Sequence, residues 1–559
     1  MIKSGFRKVS GFFFICGNER ITIFVTIQKV IDNTYDMNKD LRKIGRMSAA
    51  MLPVAAASLT GCADKLPEKP NVVFLLFDDL GYGDLGCYGQ ELIETPNIDA
   101  LASQGIVFTD MYTNAPLSAP SRCSIMTGQH QGHAQIRANE ELHGIQTADQ
   151  MSESLFYRSW CDPDYEGQYP LAAGTETIGT MMQKAGYKTA LVGKWGLGGP
   201  NTAAEPNKMG FDYFYGFNCQ MWAHSYYPDF LWENDKKVFI EGNEYMPVCA
   251  RLDEGADPYD IRSYDKFNQK HYSCDLMYDK IEKFVDENAD GPFMLVWTTT
   301  VPHSTVQAPE DEVMYYVNKL GEEKTPITDG GWYYPVLYPK SAYAAMITHL
   351  DAQVGKLVQK LKDMGLYENT VFVITSDNGP ACNSNSPLDY FKSGGPFKCT
   401  KGWGKASLHE GGIRLPFIIT CGSNLTPGTS DYAGQFVDIM PTLAELAGVE
   451  APQNDGISLV PTMTGRKQPQ HDYLYWEFPG GKGWLAVRWG EWKGLVMNVH
   501  EGNNQMQLFN LKTDMLETTD VAAEHPEIVE KMWDFIKESH QPVPNEVQRY
   551  KMEVNYPEK

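Results

Sequence analysis

The chain has 559 residues, room for two or three ordinary domains. A hydrophobic share of 42% and a charged share of 21% fit a globular body with a sizeable core and exclude a fibrous or disordered chain. The formal net charge of −23 argues against a nucleic-acid partner, although a small site can carry the opposite sign locally.

Residues 1–36 lack the shape of a targeting signal and read as an upstream extension. From Met37 the texture changes. Lys39, Arg42, Lys43 and Arg46 form a basic stretch, and Met47 to Thr60 a short apolar one, too short to cross a bilayer as an ordinary helix. It ends in Leu59-Thr60-Gly61-Cys62, which resembles a bacterial lipobox. That resemblance implies cleavage before Cys62, a lipid on its thiol, and export as a periplasmic or cell-surface lipoprotein. An ordinary signal peptide cut nearby is the other reading. Residues 62–70, closing on KLPEKP, are a polar tether. The eleven cysteines show no CxxC pair or Cys/His cluster, and the sequence leaves disulfides undecided.

The fold begins at Asn71. Val72 to Phe77 is a continuous apolar run, as in a strand buried on both faces, and it stops at Asp78 and Asp79. The stretch NAPLSAPSRCSIMTG, Asn114 to Gly128, holds Ser118, Ser121, Arg122 and Cys123, with a helix expected from about Ser121. YKTALVGKWG is a second run ending in Lys194, PFMLVWTTTVPH a third ending in His303, and TVFVITSDNG a fourth ending in Asp377 and Asn378. Between the last two, Met346, Ile347, Leu350, Val354, Leu357, Val358 and Leu361 follow helical spacing, and Gly365 suits a helix end. The Gly-rich turn KGWGKASLHEGG carries Lys405. After about residue 466 the chain reads as short strands joined by Gly turns, then one amphipathic helix, HPEIVEKMWDFIKESH. The expected fold is α/β: a large, mostly parallel or mixed sheet sandwiched by helices over residues 71–465, and a smaller α+β unit over 466–559.

In parallel α/β sheets, ligands bind beyond the carboxyl ends of the strands. Four strand ends that deliver chemistry therefore argue for one shared site. Asp78, Asp79, Asp377 and Asn378 offer only oxygen, which suits Ca²⁺ or Mg²⁺; each pair alone would more often cap a turn. Arg122, Lys194, His303 and Lys405 would each more often be solvated charges. Beside a metal they make an electropositive pocket for a tetrahedral oxyanion ester.

SAPSRCSIMTG resembles the signature of the type I sulfatases of the alkaline phosphatase superfamily: Ser or Cys, then Pro, then Arg, then Thr-Gly, matched by Ser118, Pro120, Arg122, Thr127 and Gly128. FDDLGYGDLGCYG, GYKTALVGKWG, VPH, ITSDNG and GKASLHEGGIRLP follow the family's other blocks in order. The resemblance implies an alkaline-phosphatase-like fold and hydrolysis of sulfate esters. It implies that Ser118 is oxidised to Cα-formylglycine by an anaerobic-type, radical-SAM maturating enzyme, and that the hydrated aldehyde is the nucleophile. One Ca²⁺ per chain would be held by Asp78, Asp79, Asp377, Asn378 and the modified Ser118. Arg122 would stabilise the hydrate, Lys194 and Lys405 would bind sulfate oxygens, and His303 would protonate the leaving oxygen. Ser121 falls at a variable position, and Cys123 reads as a packed thiol.

One block departs. Many members carry GKWHLG; here it is GKWGLG, with Gly196 in place of the His. His224 is the replacement expected in the substrate site, with His130 and His133 as further candidates. The aromatics around His224 (Trp222, Tyr226, Tyr227, Trp232) and GGWYYP at Gly330–Pro335 suggest a sulfated carbohydrate. The rival readings are a phosphatase or phosphonate monoester hydrolase of the same superfamily, and a lipoprotein that binds sulfated glycan without cleaving it.

Overall fold

The computed structural model describes residues 66–139, 168–247, 249–331, 333–383, 385–542 and 552–557; the leader, Cys62 and the start of the tether lie outside them. The first apolar run forms β1 (Asn71–Phe77). There follow β2 (Ile106–Phe108), β3 (Met111–Tyr112), β4 (Lys188–Lys194), β5 (Tyr213–Phe217), β6 (Phe230–Glu233), β7 (Lys236–Phe239), β8 (Phe293–Thr298), β9 (Thr370–Ser376), β10 (Phe417–Thr420), β11 (Gly428–Ser430) and β12 (Gly434–Gln435). Ten of these make one sheet in the order β11-β2-β10-β9-β1-β8-β4-β5-β6-β7. The neighbours β9, β1, β8, β4 and β5 run parallel. Beyond them, β10 on one side and β6 and β7 on the other turn the sheet mixed. The four strands expected from the sequence are thus adjacent and parallel, so their carboxyl ends share one edge.

Both faces of this sheet are covered, which is why β1 is apolar at every position after Asn71. Val73, Leu75 and Phe77 enter a core with the helices Ser273–Glu287 and Pro339–Asp363. Val72, Phe74 and Leu76 enter another with the helices Ser118–Thr127 and Ile439–Ala447. The long helix starts at Pro339, ahead of the periodic run from Met346, because proline suits a first turn whose N–H groups have no internal acceptor. Gly365, at φ +71°, follows its end.

The last strands, β13 (Leu474–Phe478), β14 (Trp484–Trp489), β15 (Trp492–Met497) and β16 (Gln507–Asn510), form an antiparallel sheet in that order. One face packs on the helix Pro526–Ser539 through Leu485, Val487, Val496, Met532 and Ile536. The other turns Trp476, Ala486 and Leu495 toward Tyr112, Leu408 and Ile413. Trp476 Nε1 donates to the Thr113 carbonyl at 2.7 Å. A buried ion cluster ties the same surfaces: Lys493 Nζ lies 2.8 Å from Glu410 and 2.9 Å from Glu517, all three side chains at most 2% exposed. Glu410 also takes the Tyr112 hydroxyl at 2.7 Å and Arg414 at 3.2 Å. Burial alone would raise its carboxyl, but Lys493 and Arg414 hold it down at about 2. Cys87, Cys123, Cys274, Cys382, Cys399 and Cys421 are free thiols. No described helix is long and apolar enough to cross a membrane.

Removing one partner from such a cluster leaves the other charges buried and uncompensated. Lys493→Met should therefore destabilise the protein by about 3 kcal/mol, seen as a lower urea midpoint; an unchanged midpoint would show the cluster to be energetically neutral.

Candidate active site

Ser118 is the first residue of its helix, not a residue ahead of one that starts at Ser121. Pro120 explains the earlier start: its missing N–H falls in the first turn, where it costs no helical bond. Ser121 N–H already closes onto the Leu117 carbonyl at 3.1 Å. Leu117 gives no side-chain cap; Asn139 instead accepts from the Ala119 N–H at 3.0 Å. Every side chain of the helix is buried. Cys123 packs in the core, and burial pushes its thiol pKa up. Ser121 bonds Thr113 at 2.8 Å and is likewise internal.

The Ser118 hydroxyl donates to Asp78 Oδ1 at 3.1 Å and lies 3.4 Å from Asn378 Oδ1. Asp78 and Asp79 follow β1, and Asp377 and Asn378 follow β9 beside it. Asp79 has φ +68°, its N–H donates to Asp377 Oδ1 at 3.2 Å, and its own Oδ1 accepts from Asn378 Nδ2 at 2.7 Å. Lys194, the last residue of β4, places Nζ 2.5 Å from Asp78 Oδ2. Lys405 reaches Asp79 Oδ1 at 2.6 Å. Arg122 donates to Asp377 at 3.0 Å and to the Lys194 carbonyl at 2.7 Å, so it braces the carboxylates and β4 one turn beyond Ser118. His303, past β8, gives Nδ1 to the Ser304 carbonyl at 2.5 Å and sets Nε2 3.6 Å from Asp79 Oδ2. Every site residue assigned to a strand end or to the Lys405 turn therefore meets in one volume, with Asp78 and Asp377 wholly buried.

Three carboxylates face three basic side chains here, Lys194, Arg122 and Lys405. Burial lowers the Lys194 ammonium from its usual value, against the pull of Asp78. Burial would raise Asp78, but the surrounding positive charge, Lys194 foremost and Arg122 with it, outweighs it and holds it down. Asp79 is raised by burial and by Asp78, against the pull of Lys405. Asp377 is pushed up to about 6 by burial and the charge of Asp78. Lys405 keeps its proton because Asp79 and Asp78 outweigh its burial. His303 is lowered well below its usual value by burial and by Lys405. The carboxylates fit a cation: Asp79 Oδ2 is buried without a hydrogen-bond partner, and two carboxyls are held above their ordinary range by burial and then by the charge of Asp78. Asp78, Asp79 and His303 alone bring ligand atoms within 4.8 Å of one another. With Asp377 and Asn378 beside them, the donor set is mostly oxygen and suits a hard cation.

His224 stacks on His303 with ring centroids 4.7 Å apart and planes 16° from parallel, and the Tyr333 ring lies 5.4 Å from it. Burial and the neighbouring His303 lower its pKa. His130 and His133 are not at this site. They follow the far end of the Ser118–Thr127 helix, about 15 Å along its axis at 1.5 Å per residue, and His133 Nδ1 bonds Asp455 at 2.9 Å. The aromatic loop also reads differently in three dimensions. Trp222, Tyr226 and Tyr227 are core residues, and Tyr226 props the histidine loop by donating to the Thr300 and His303 carbonyls. Of the aromatics singled out, Tyr333 is the one recorded against His303 and His224; Trp332 lies outside the described residues. Sequence reasoning missed Glu410 and Arg414 as ties to the last sheet. Gly411 and Gly412 beside them were a usable signal: a Cβ there would lie 1.9 Å from the Lys398 carbonyl oxygen and 2.2 Å from that of Ser407.

A buried serine at a helix start, carboxylates fit for a divalent cation and converging basic side chains suit a site for a tetrahedral oxyanion. The sulfatase family model matches residues 70–449, and the model of the N-sulphoglucosamine sulphohydrolase C-terminal region matches residues 401–541. N-acetylgalactosamine-6-sulfatase of Rattus norvegicus is 29% identical over 460 residues, covering 80% of this chain and 75% of that protein. N-acetylgalactosamine-6-O-sulfatase of Bacteroides thetaiotaomicron is 25% identical over 543 residues, covering 86% and 96%. Among solved structures, that of Ps i-CgsB is similar with a TM-score of 0.64 at 25% identity, over 86% of this chain and 94% of that one. The chain belongs to the sulfatase family and is a sulfuric ester hydrolase.

Because two carboxyls are held high without a cation, the metal-free protein should bind Ca²⁺ and gain thermal stability. Protons compete for the same oxygens, so affinity should weaken as pH falls through about 6, where Asp377 takes up its proton. Calcium titration calorimetry between pH 5 and 8 checks this; Asp79→Asn should weaken binding at every pH.

Proposed function

We propose that the protein removes sulfate from sulfated carbohydrates outside the cytoplasm, using Ser118 in its formylglycine form and one Ca²⁺. The observation that carries the reading is Ser118 Oγ at 3.1 Å from Asp78, inside a cluster whose carboxylates and basic side chains are equal in number. A bound divalent cation would tip that balance positive, as an anionic ester requires. Asp78, Asp79, Asp377, Asn378 and residue 118 would hold it.

The formylglycine hydrate would supply a hydroxyl that attacks sulfur and a carbon able to expel sulfate afterwards, which a plain serine ester cannot do. The remaining work belongs to the chain's own groups. Lys194 and Lys405 present ammonium groups for sulfate oxygens, and Arg122 steadies the nucleophile side of the cluster. His303, its Nδ1 committed to the Ser304 carbonyl, keeps Nε2 for a proton delivered to the leaving oxygen. It is stored neutral by burial, and the arriving negative charge favours its protonation. His224, stacked on it, keeps its ring in place and borders the substrate. The carbohydrate class is supported by two relatives whose names specify N-acetylgalactosamine sulfate. Export rests on the leader and Cys62, outside the described residues.

In the native host, the peptide carrying Ser118 should be lighter by two hydrogens, about 2 Da, by mass spectrometry. Matched aryl sulfate and aryl phosphate substrates should show a preference for sulfate, and Ser118→Ala should lose about 10³-fold or more in kcat/KM. An unmodified Ser118 in active enzyme, or a preference for phosphate, would overturn the reading.

A further inference from the structure

Gly196 has φ +76°, a conformation that side chains rarely adopt, and the space above it is taken. A Cβ there would lie 2.8 Å from Gln220 Nε2 and 3.1 Å from its Cγ. The Gln220 side chain thus fills the volume that a side chain at position 196 would occupy. The two segments are held in register. Pairing of β4 with β5 continues past their ends, with the Trp195 N–H on the Phe217 carbonyl at 2.9 Å and the Gly196 N–H on the Asn218 carbonyl at 3.2 Å. Lys194, two residues before Gly196, already stands in the charge cluster on Asp78.

Gln220 is 5% exposed, and its Nε2 is buried with no hydrogen-bond partner among the described residues. Asn218, 2% exposed, has its Oδ1 in the same condition. Buried amides are rarely left unpaired, because losing water without a replacement bond is costly. The unpaired Nε2–H of Gln220, over the residue two beyond Lys194, is explained by a ligand that supplies an acceptor; the Asn218 oxygen, itself an acceptor, calls for a donor instead.

The geometry points to Gln220 as a further substrate-binding residue, its carboxamide N–H donating to an oxygen of the bound sulfate group from the place where related chains carry an imidazole. The inference rests on the sulfatase reading for its ligand. A carboxamide holds an oxyanion but does not exchange a proton near neutral pH, so position 196 and its occupant add no titrating group to the reaction.

Gln220→Met keeps length and bulk and removes the donor; Gln220→Glu keeps the shape and sets a carboxylate against the anion. For each full-length, calcium-loaded variant, kcat/KM on an aryl sulfate, the calorimetric Kd for inorganic sulfate and the melting temperature are measured. Gln220→Met should lower kcat/KM and weaken sulfate by about tenfold each, with no fall in melting temperature, and Gln220→Glu should lose more. Both variants within about twofold of wild type in rate and sulfate affinity would overturn the inference and leave Gln220 a space-filler. Wild type that binds sulfate but hydrolyses no ester would overturn the sulfatase reading, and the ratio of sulfate affinities would still decide the role of Gln220. Wild type that binds no sulfate would overturn both.

Discussion

Asp78, Asp79 and Asp377 are forced together out of water, and the protein must supply positive charge from several directions to keep them so. Lys194, Lys405 and Arg122 do this from a strand end, a Gly-rich turn and a helix. Like charges at this spacing in a poorly polarisable interior repel by several kcal/mol or more. The compensation is therefore a condition for folding as well as for chemistry. The same residues that tolerate a cation and an anionic ester are the ones that make the apo cluster bearable.

The parallel sheet makes this possible at small conformational cost. Adjacent strands fix the spacing of whatever follows them, so two residues after β1 and two after β9 arrive side by side without a long loop to order. The helix that begins at Ser118 adds that hydroxyl and, one turn later, Arg122. Rigid elements on both faces leave only side-chain rotamers to be settled at the edge.

Much of this was legible because buried parallel strands write themselves as unbroken apolar runs, and their ends announced Asp78, Lys194, His303 and Asp377. The sequence did not distinguish aromatics that meet ligand from aromatics that prop a loop. Trp222 and Tyr226 have the composition of a sugar platform and the burial of a core, and only their packing, Trp222 on Phe230 and Tyr245 and Tyr226 on Tyr272, separates the two. The start of the Ser118 helix was misjudged by three residues, because Pro120 looks like a break and acts as a first-turn residue. The role of Glu410 was hidden because its partners Lys493 and Glu517 lie far along the chain. Gln220 was invisible for the same reason: only the strand pairing brings it over Gly196.

The bond from Lys493 to Glu410 also sets an order of events during synthesis. Glu410 lies five residues beyond Lys405 and is gripped by Lys493, which is made well after it. Until Lys493 emerges, the turn that carries Lys405 rests on the Lys405 N–H to the Pro380 carbonyl and the Ala406 N–H to the Pro116 carbonyl, without that ionic tie. A chain cut between Lys405 and β15 would own Asp78, Ser118, Lys194, His303, Asp377 and Lys405 and lack the strand that steadies the turn of the last of them. The sheet of β13 to β16 thus links the steadying of the Lys405 turn to the arrival of strands made after it.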